Sequence, residues 1–263
     1  MYQHAREKMD GKEWGHMVLQ RLGLPICKDL EGKKCPNCNK TLDAHGHHIG
    51  DCKGNKLRHA LHNSVQGDFQ RCFNELGFGA SLAWSGLYPD NPKKKWDLVL
   101  TDCPTTFNQL GMDFSFINPT APSYLNKAQQ VGGAAKDREK IKNDKYLPAP
   151  PGYTFMPAII ETSGRWGETL HKFWEKIMKE VKECRIQRPP QETWNAVTWE
   201  QLWLQKLSNT QRSQHAHIIM KGLEKARIKH FGTPYTTPTG CPLHNWFEDH
   251  LSGDETDVEE ELV

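Results

Sequence analysis

The chain has 263 residues, enough to bury one sizeable core or one domain with small additions. A hydrophobic content of 37% and a charged content of 25% exclude a disordered chain and indicate an ordinary globular protein. The charged N-terminal segment and the shortness of every apolar run predict neither a signal peptide nor a membrane span. We therefore expect a soluble, intracellular protein with no membrane partner.

The net charge of +2 is distributed unevenly along the chain. Eight of the 32 acidic residues, and no Lys or Arg, lie between Glu248 and Val263; this leaves 24 acidic against 34 basic residues, a charge of +10, for residues 1–247. A basic body favours a polyanionic partner, because each contact between a lysine and a phosphate releases counterions. The alternative is a basic surface that is simply solvated. We expect DNA, or RNA, as the partner and a disordered acidic tail over 247–263.

Hydrophobic periodicity and turn residues predict the elements in chain order. A short amphipathic helix over 12–24 is followed by a segment, 35–52, in which Cys and His cluster. The next predicted elements are a helix at Lys56–Leu76 and strands at Ala80–Trp84, Trp96–Thr101 and Met112–Ile117. The remaining ones are a helical stretch at Ser123–Tyr146 with a candidate interruption at Gly132 and Gly133, a strand at Tyr153–Glu161, and a helix of about 18 residues after Gly164.

The order helix, three strands, helix, strand, helix predicts a mixed α/β core. Beyond Arg188, apolar spacing predicts two further helices, one marked by Trp199 and Trp203 and the other by Ile218 and Ile219. These C-terminal helices are the part of the chain that could recruit a protein partner. The predicted organisation is an N-terminal helix and linker, a Cys/His segment, the α/β core, a helical extension and the acidic tail, over residues 1–34, 35–55, 56–187, 188–246 and 247–263.

The Cys/His segment has the spacing of a structural zinc site. The predicted ligands are Cys35, Cys38, His47 and Cys52. Two residues separate the first pair, so that one turn can present both thiolates to a single Zn²⁺, and four residues separate the second pair. His45 and His48 are alternatives to His47. A segment this short cannot build a hydrophobic core, so bound zinc would supply its folding free energy, on the order of 10 kcal/mol.

Three carboxylates interrupt predicted strands that are otherwise apolar. Asp97 opens one strand, Asp113 lies within the next, and Glu161 ends the strand after that. Burying a charge at such places is costly without a metal or a partner. Exposed acids at strand ends are the alternative, but three of them on neighbouring strands favour a site for Mg²⁺ or Mn²⁺ that hydrolyses phosphodiesters. The dipeptide Pro89-Asp90 resembles a nuclease signature, but it lies in a predicted turn, and we prefer Asp97.

Basic residues that could serve this chemistry lie on both sides of the acidic ones in the sequence. Lys142 and Lys145 are three residues apart on a predicted helix, so they share a face and either could be catalytic. His59 begins the long helix and is a further catalytic candidate. A solvated lysine-rich face and a structural histidine are the alternatives. The residues predicted to bind nucleic acid are Arg58, Lys93, Lys94, Lys95 and Tyr146.

The order and spacing of these motifs resemble the restriction-like endonuclease domain of site-specific non-LTR retrotransposons, a branch of the PD-(D/E)XK nuclease superfamily. The matching motifs are LQRLGLP at 19–25, the Cys/His segment, Arg58-His59, Asp97, Asp113 after fifteen intervening residues, the lysine pair before Tyr146, and GYTFMPAIIETSGRW. They extend over roughly residues 15–185, about two-thirds of the chain.

The resemblance implies a restriction-endonuclease-like fold and an enzyme that nicks target DNA, in the nucleus, to prime reverse transcription. It implies that Asp97 and Asp113 are ligands of a catalytic Mg²⁺ and that Lys142 or Lys145 is the catalytic lysine, displaced onto the helix. Ser115 stands where an ordinary Asp-x-Lys motif carries its lysine, which fits that displacement. The alternative is a catalytically inactive, zinc-containing module that binds nucleic acid.

Overall fold

The computed structural model describes residues 11–103, 105, 109–183 and 198–234, with the exception of the side chains of 181–183. The acidic tail that the sequence predicts over 247–263 lies outside the described residues, as does part of the predicted helical extension. Within the described ranges, no helix combines the length and the apolar character that crossing a membrane requires.

The described helices and strands follow the predicted order. In chain order they are α1 (Gly11–Arg21), α2 (His47–Asp51), α3 (Arg58–Glu75), β1 (Gly79–Ser85), β2 (Lys95–Thr101), β3 (Gln109–Ile117), α4 (Leu125–Ala128), α5 (Gly133–Tyr146), β4 (Tyr153–Glu161), α6 (Glu168–Glu183) and α7 (Trp199–Phe231). The predicted interruption before α5 is confirmed, since Gly132 caps that helix with a φ of 75°. The fold is therefore mixed α/β.

The four strands form one sheet in the order β1-β2-β3-β4. The first three strands are antiparallel neighbours, whereas β4 runs parallel to β3 and is reached through the crossover helix α5. Helices cover both faces of β3: Phe114 contacts Phe69 of α3, with 5.1 Å between ring centroids, and Asp113 contacts Lys142 of α5. Successive residues of a strand point to opposite faces, so Asp113 is directed toward α5.

Close packing between β2 and β3 depends on Gly111. The indole of Trp96, which is fully buried, lies flat against this glycine, and a Cβ built there would come within 2.1 Å of Trp96 Cε3. The same indole packs against Tyr153 and Phe155 of β4, with centroid distances of 5.4 and 6.1 Å. A residue without a side chain is therefore required at position 111, because Trp96 fills the space that any Cβ would need.

The described residues divide into two compact units. The first is Asn55–His215, which contains the sheet, α3 to α6 and the beginning of α7. The second joins residues up to Gly54 to those from Ala216 onward. Its hydrophobic core consists of Leu19, Ile26, Cys27, Leu30, Cys35, Leu42, Ile49, Cys52, Ile219, Leu223 and Ala226. The end of α7 thus belongs to the same unit as the Cys/His segment.

The prediction of two helices beyond residue 198 is wrong, because α7 is one continuous helix of 33 residues. The polar triplet Ser208-Asn209-Thr210 separates the two apolar groups and has low helix propensity, which is typical of a break. The helix continues because Gln211, directly after the triplet, donates hydrogen bonds to the carbonyl oxygens of Glu161 and Thr162, at 3.3 and 3.2 Å. Tertiary contacts here outweigh local propensity.

Replacing Gly111 with Ala should destabilise the fold by about 1 to 3 kcal/mol, because the new methyl group overlaps the buried Trp96 indole. The matched control is Gly67→Ala in the middle of α3, where a Cβ meets nothing within 4 Å. That change should stabilise by roughly 0.5 to 1 kcal/mol, since alanine favours the helix over glycine. Urea denaturation of the two variants measures both effects. Equal stability of the two would contradict the packing described here.

Candidate functional site

The Cys/His segment brings four ligand atoms together within the second unit. They belong to Cys35, Cys38, His48 and Cys52 and all lie within 4.8 Å of one another. The sulfur atoms of Cys35 and Cys52 are 3.8 Å apart, and the Cys38 sulfur is 3.1 Å from His48 Nε2. In a tetrahedral site with Zn–S bonds of about 2.3 Å, two sulfurs lie about 3.8 Å apart, so this cluster could bind zinc.

A short helix and its cap place the second half of the cluster. The α2 helix begins after Gly46, whose φ of 70° lies in the left-handed region. A Cβ added at this position would lie 2.8 Å from Ile26 Cδ1. The Asp43 carboxylate accepts hydrogen bonds from the backbone N–H groups of His47 and His48, at 2.9 and 2.8 Å. Asp43 therefore orients the backbone that carries the cluster histidine.

The histidine in the cluster is His48, whereas the sequence analysis preferred His47 and left His45 and His48 as alternatives. Helical geometry gives the reason. His48 and Cys52 are four residues apart, so on a helical turn they share one face, and His47 is rotated away by one residue. The His47 ring stacks on His45, with centroids 5.5 Å apart, and its Nδ1 lies 3.9 Å from Asp43.

Burial shifts the pKa of two of these groups, His48 and Cys52. It lowers the pKa of His48, which favours the neutral imidazole that ligates metals. It raises the pKa of the Cys52 thiol to about 12, so this thiol is protonated at neutral pH. Because metals bind the thiolate, metal binding here releases a proton and becomes stronger as the pH rises.

The second group of interest surrounds Asp113, in the first unit. Asp113 is only 5% exposed, and its carboxylate forms an ion pair with the ammonium of Lys142, which is 8% exposed. Tyr146, one turn after Lys142 on α5, donates its hydroxyl proton to the other carboxylate oxygen at 2.5 Å. Burial, and next the bond to Asp113, raise the pKa of Tyr146 far above its ordinary value, so its hydroxyl stays protonated.

Asp97 occupies a break in the strand pairing beside Asp113. The pairing of β2 with β3 ends at Leu98 and Met112, and one further step in that register would set Asp97 opposite Asp113. Hydrogen bonds from side chains replace the strand pairing at this point. The Asp97 carboxylate accepts the backbone N–H of Phe114 at 2.7 Å, and Gln66 of α3 donates to the Asp97 carbonyl. The Asp97 carboxylate is thus held on the α3 side of the sheet, whereas Asp113 is directed toward α5.

His62 is a site residue that the sequence analysis missed. Its Nε2 lies 3.1 Å from the Asp97 carboxylate, and this hydrogen bond raises the pKa of His62. The predicted candidate, His59, lies exposed in the first turn of α3 and does not contact Asp97. A signal was available, since His62 and Gln66 are four residues apart on α3 and share a face, but nothing in the sequence pairs them with a residue 35 positions away.

Glu161 lies away from the two aspartates. In the parallel pairing of β3 with β4, Asp113 is opposite Pro157 and Glu161 is opposite Ile117. Four residues of strand separate these positions, about 13 Å at the usual rise. Glu161 accepts a hydrogen bond from Ser163 Oγ at 3.3 Å. It therefore does not join the group predicted from the sequence.

The remaining predicted residues fall into surface and interior positions. Tyr146, predicted to contact nucleic acid, is 2% exposed and bonded to Asp113, so it belongs to the interior of the site. Lys93, Lys95 and Lys145 are exposed, and the Lys145 ammonium donates to the Tyr146 hydroxyl at 2.9 Å. Arg58 lies half-buried in the first turn of α3, and Asp90 lies in an exposed turn, as predicted.

The chemistry open to this group follows from its donors. In the described part of the chain, the Cys/His cluster is the one place where three or more His, Cys, Asp or Glu ligand atoms converge. The Asp113 group therefore offers one carboxylate and one ammonium, those of Asp113 and Lys142, and a second carboxylate, that of Asp97, lies on the neighbouring strand beside His62. Mg²⁺ commonly binds through one or two carboxylates together with water and substrate phosphate, so Asp113 and Asp97 are the carboxylates here that could hold it.

Comparison with protein-family models finds no match to the chain, and comparison with curated proteins finds none either.

Replacing His48 with Ala should weaken zinc binding by at least about 100-fold, since removal of a direct ligand costs more than removal of its supporting groups. His47→Ala is the matched control and should bind nearly as the unaltered protein does. Competition with a chromogenic zinc chelator measures both affinities. The reverse order of the two variants would show that His47 is the ligand.

Proposed function

We propose that this protein is a Mg²⁺-dependent DNA endonuclease with a restriction-endonuclease-like core and a structural zinc site. The observation that carries the proposal is the buried contact of Lys142 with Asp113, beside Asp97. Two acids on neighbouring strands and a lysine are the kinds of donor that metal-dependent phosphodiester hydrolysis needs. The order helix, three strands, helix, strand, helix, which the sequence predicts for such a core, is the order of α3, β1 to β3, α5, β4 and α6.

Each side chain has a role that its contacts suggest. Asp97 and Asp113 would hold the metal, and His62 and Tyr146 orient those two carboxylates through their hydrogen bonds. Bound Mg²⁺ supplies Lewis-acid polarisation of the phosphate and a more acidic water. The Lys142 ammonium, already beside Asp113, can position the attacking water or stabilise the charge that develops on the phosphate oxygens.

Lys142, rather than Lys145, is the catalytic lysine in this proposal. The Lys142 ammonium contacts the Asp113 carboxylate directly, whereas Lys145 reaches the hydroxyl of Tyr146. The position that an ordinary Asp-x-Lys motif would use is taken by Ser115, whose hydroxyl accepts a hydrogen bond from Arg138 Nε at 3.0 Å. The catalytic lysine therefore comes from α5, whereas an ordinary Asp-x-Lys motif would supply it from the strand, here β3.

The zinc site has a structural role in this proposal. Four protein ligands fill a tetrahedral zinc and leave no position for a substrate or a reactive water. The cluster also lies among the apolar side chains of its own unit, since Cys35 and Cys52 belong to that core. Zinc there stabilises the fold, and the hydrolysis is assigned to the Asp113 group. An enzyme of this kind acts on chromosomal DNA, which implies a nuclear location.

Substituting Asp113 with Asn should lower Mg²⁺-dependent cleavage of plasmid DNA by at least about 100-fold, because a metal ligand becomes neutral. The control is Asp68→Asn on α3, which also neutralises a buried acid with a basic partner, Arg71. Thermal unfolding checks that both variants fold. Cleavage by Asp113→Asn at the rate of the control would remove the proposed site. Salt-sensitive DNA binding by the unaltered protein without any cleavage would instead favour the inactive binding module.

Substituting Lys142 with Met, which keeps the length of the side chain and removes its charge, should lower the cleavage rate at saturating DNA by at least about 100-fold. Lys140→Met is the matched control, since Lys140 lies exposed on the same helix and should leave the rate unchanged. Single-turnover measurement of plasmid nicking separates this step from binding. An unchanged rate for Lys142→Met would assign the role to another cation.

A further inference from the structure

Besides Lys142, whose ammonium lies 6.0 Å from the ring centroid, two lysines approach the ring of Tyr146 next to the Asp113 group. Lys94, from the segment before β2, places its ammonium 3.7 Å from the centroid of the Tyr88 ring and 5.3 Å from that of Tyr146. Lys145, from the end of α5, places its ammonium 4.5 Å from the Tyr146 centroid and donates to the Tyr146 hydroxyl. Two positive charges that are far apart in sequence thus converge on one side chain.

Neither charge is neutralised by a described acidic residue. The contacts of Lys94 and Lys145 are with aromatic rings and a phenolic hydroxyl, and neither lysine forms an ion pair with a described carboxylate. Burial, and next the charge of Lys145, lower the pKa of Lys94, as expected for a cation close to another cation. A cation–π contact holds an ammonium in place and leaves its charge available to an anion.

Hydrogen bonds hold the two rings in place. The Tyr88 hydroxyl donates to the backbone carbonyl of Tyr146 at 2.6 Å, and the Tyr146 hydroxyl lies 3.1 Å from the carbonyl oxygen of Lys95. Because Tyr146 also bonds Asp113, the ring that both lysines approach is tied directly to the proposed metal ligand. Lys94 and Lys145 therefore have a defined position relative to the Asp113 carboxylate.

We propose that Lys94 and Lys145 form a phosphate clamp that binds the backbone phosphate of DNA next to the phosphodiester held at Asp113. The choice of DNA as the ligand rests on the proposed endonuclease function. The clamp gives Lys145 a binding role distinct from that of Lys142: Lys142 acts at the scissile phosphate, and Lys145 with Lys94 fixes the strand one phosphate away. Tyr88 and Tyr146 act as positioning residues that hold the two ammonium groups.

The test compares two double variants that remove the same total charge. Lys94→Gln with Lys145→Gln removes the clamp, and Lys136→Gln with Lys140→Gln removes two exposed lysines elsewhere on α5. The zinc-loaded full chain is titrated without Mg²⁺ against a short fluorescent DNA duplex over a series of salt concentrations. The clamp variant should bind about tenfold more weakly than the control, with a salt slope smaller by about 0.9 for each phosphate that is no longer neutralised.

Equal affinity and equal salt slope for the two double variants would overturn the clamp. Because binding is measured without Mg²⁺, this result is separate from the cleavage assay, and the endonuclease proposal can fail while the clamp stands. A clamp variant that loses affinity for single-stranded RNA but not for the DNA duplex would also overturn the proposal, since the ligand would then be a different nucleic acid. Circular dichroism of all variants checks that each is folded.

Discussion

The rest of the first unit depends on the buried ion pair between Asp113 and Lys142. A carboxylate in a strand that helices cover on both faces carries a large desolvation penalty, which only a close opposite charge and further hydrogen bonds can offset. The hydroxyl of Tyr146 supplies one such bond. These contacts hold α5 against β3. The same helix carries the buried residue Glu139, whose carboxylate accepts the backbone N–H of Thr169 at the start of α6. The Asp113–Lys142 pair, to which we assign a catalytic role, therefore also stabilises the packing of α5 on β3.

Much of the fold could be predicted from the sequence, because apolar periodicity reports directly which face of an element is buried. The strand from Tyr153 to Glu161 has the bounds that the sequence predicts, and the glycine pair Gly132-Gly133 marks the start of α5. The prediction failed at α7, where apolar spacing indicated two separate helices. Gln211 in the middle of that helix donates hydrogen bonds to the last residue of β4 and to the residue after it, about 50 residues earlier, and such contacts cannot be predicted from local sequence.

The site was predictable in composition and only partly in geometry. Asp97, Asp113 and Lys142 stand out because charges inside apolar strands and on the following helix are unusual, and the structure brings the last two into contact. His62 was not predicted because its partner, Asp97, lies 35 residues away in the sequence. The sequence favoured His47 over His48 because counting residues between ligands ignores the rotation of a helical turn, which pairs positions four apart.

The composition of the second unit has a consequence for dividing this protein into fragments. Its core around the cysteines is completed by Ile219, Leu223 and Ala226, which the chain supplies more than 160 residues after Cys52. A peptide that ends soon after the metal ligands would retain every coordinating atom and still expose apolar surface that α7 normally covers. Since the hydrophobic shell around a metal controls solvent access to it, the retention of any zinc that this cluster binds would depend on both ends of the described chain.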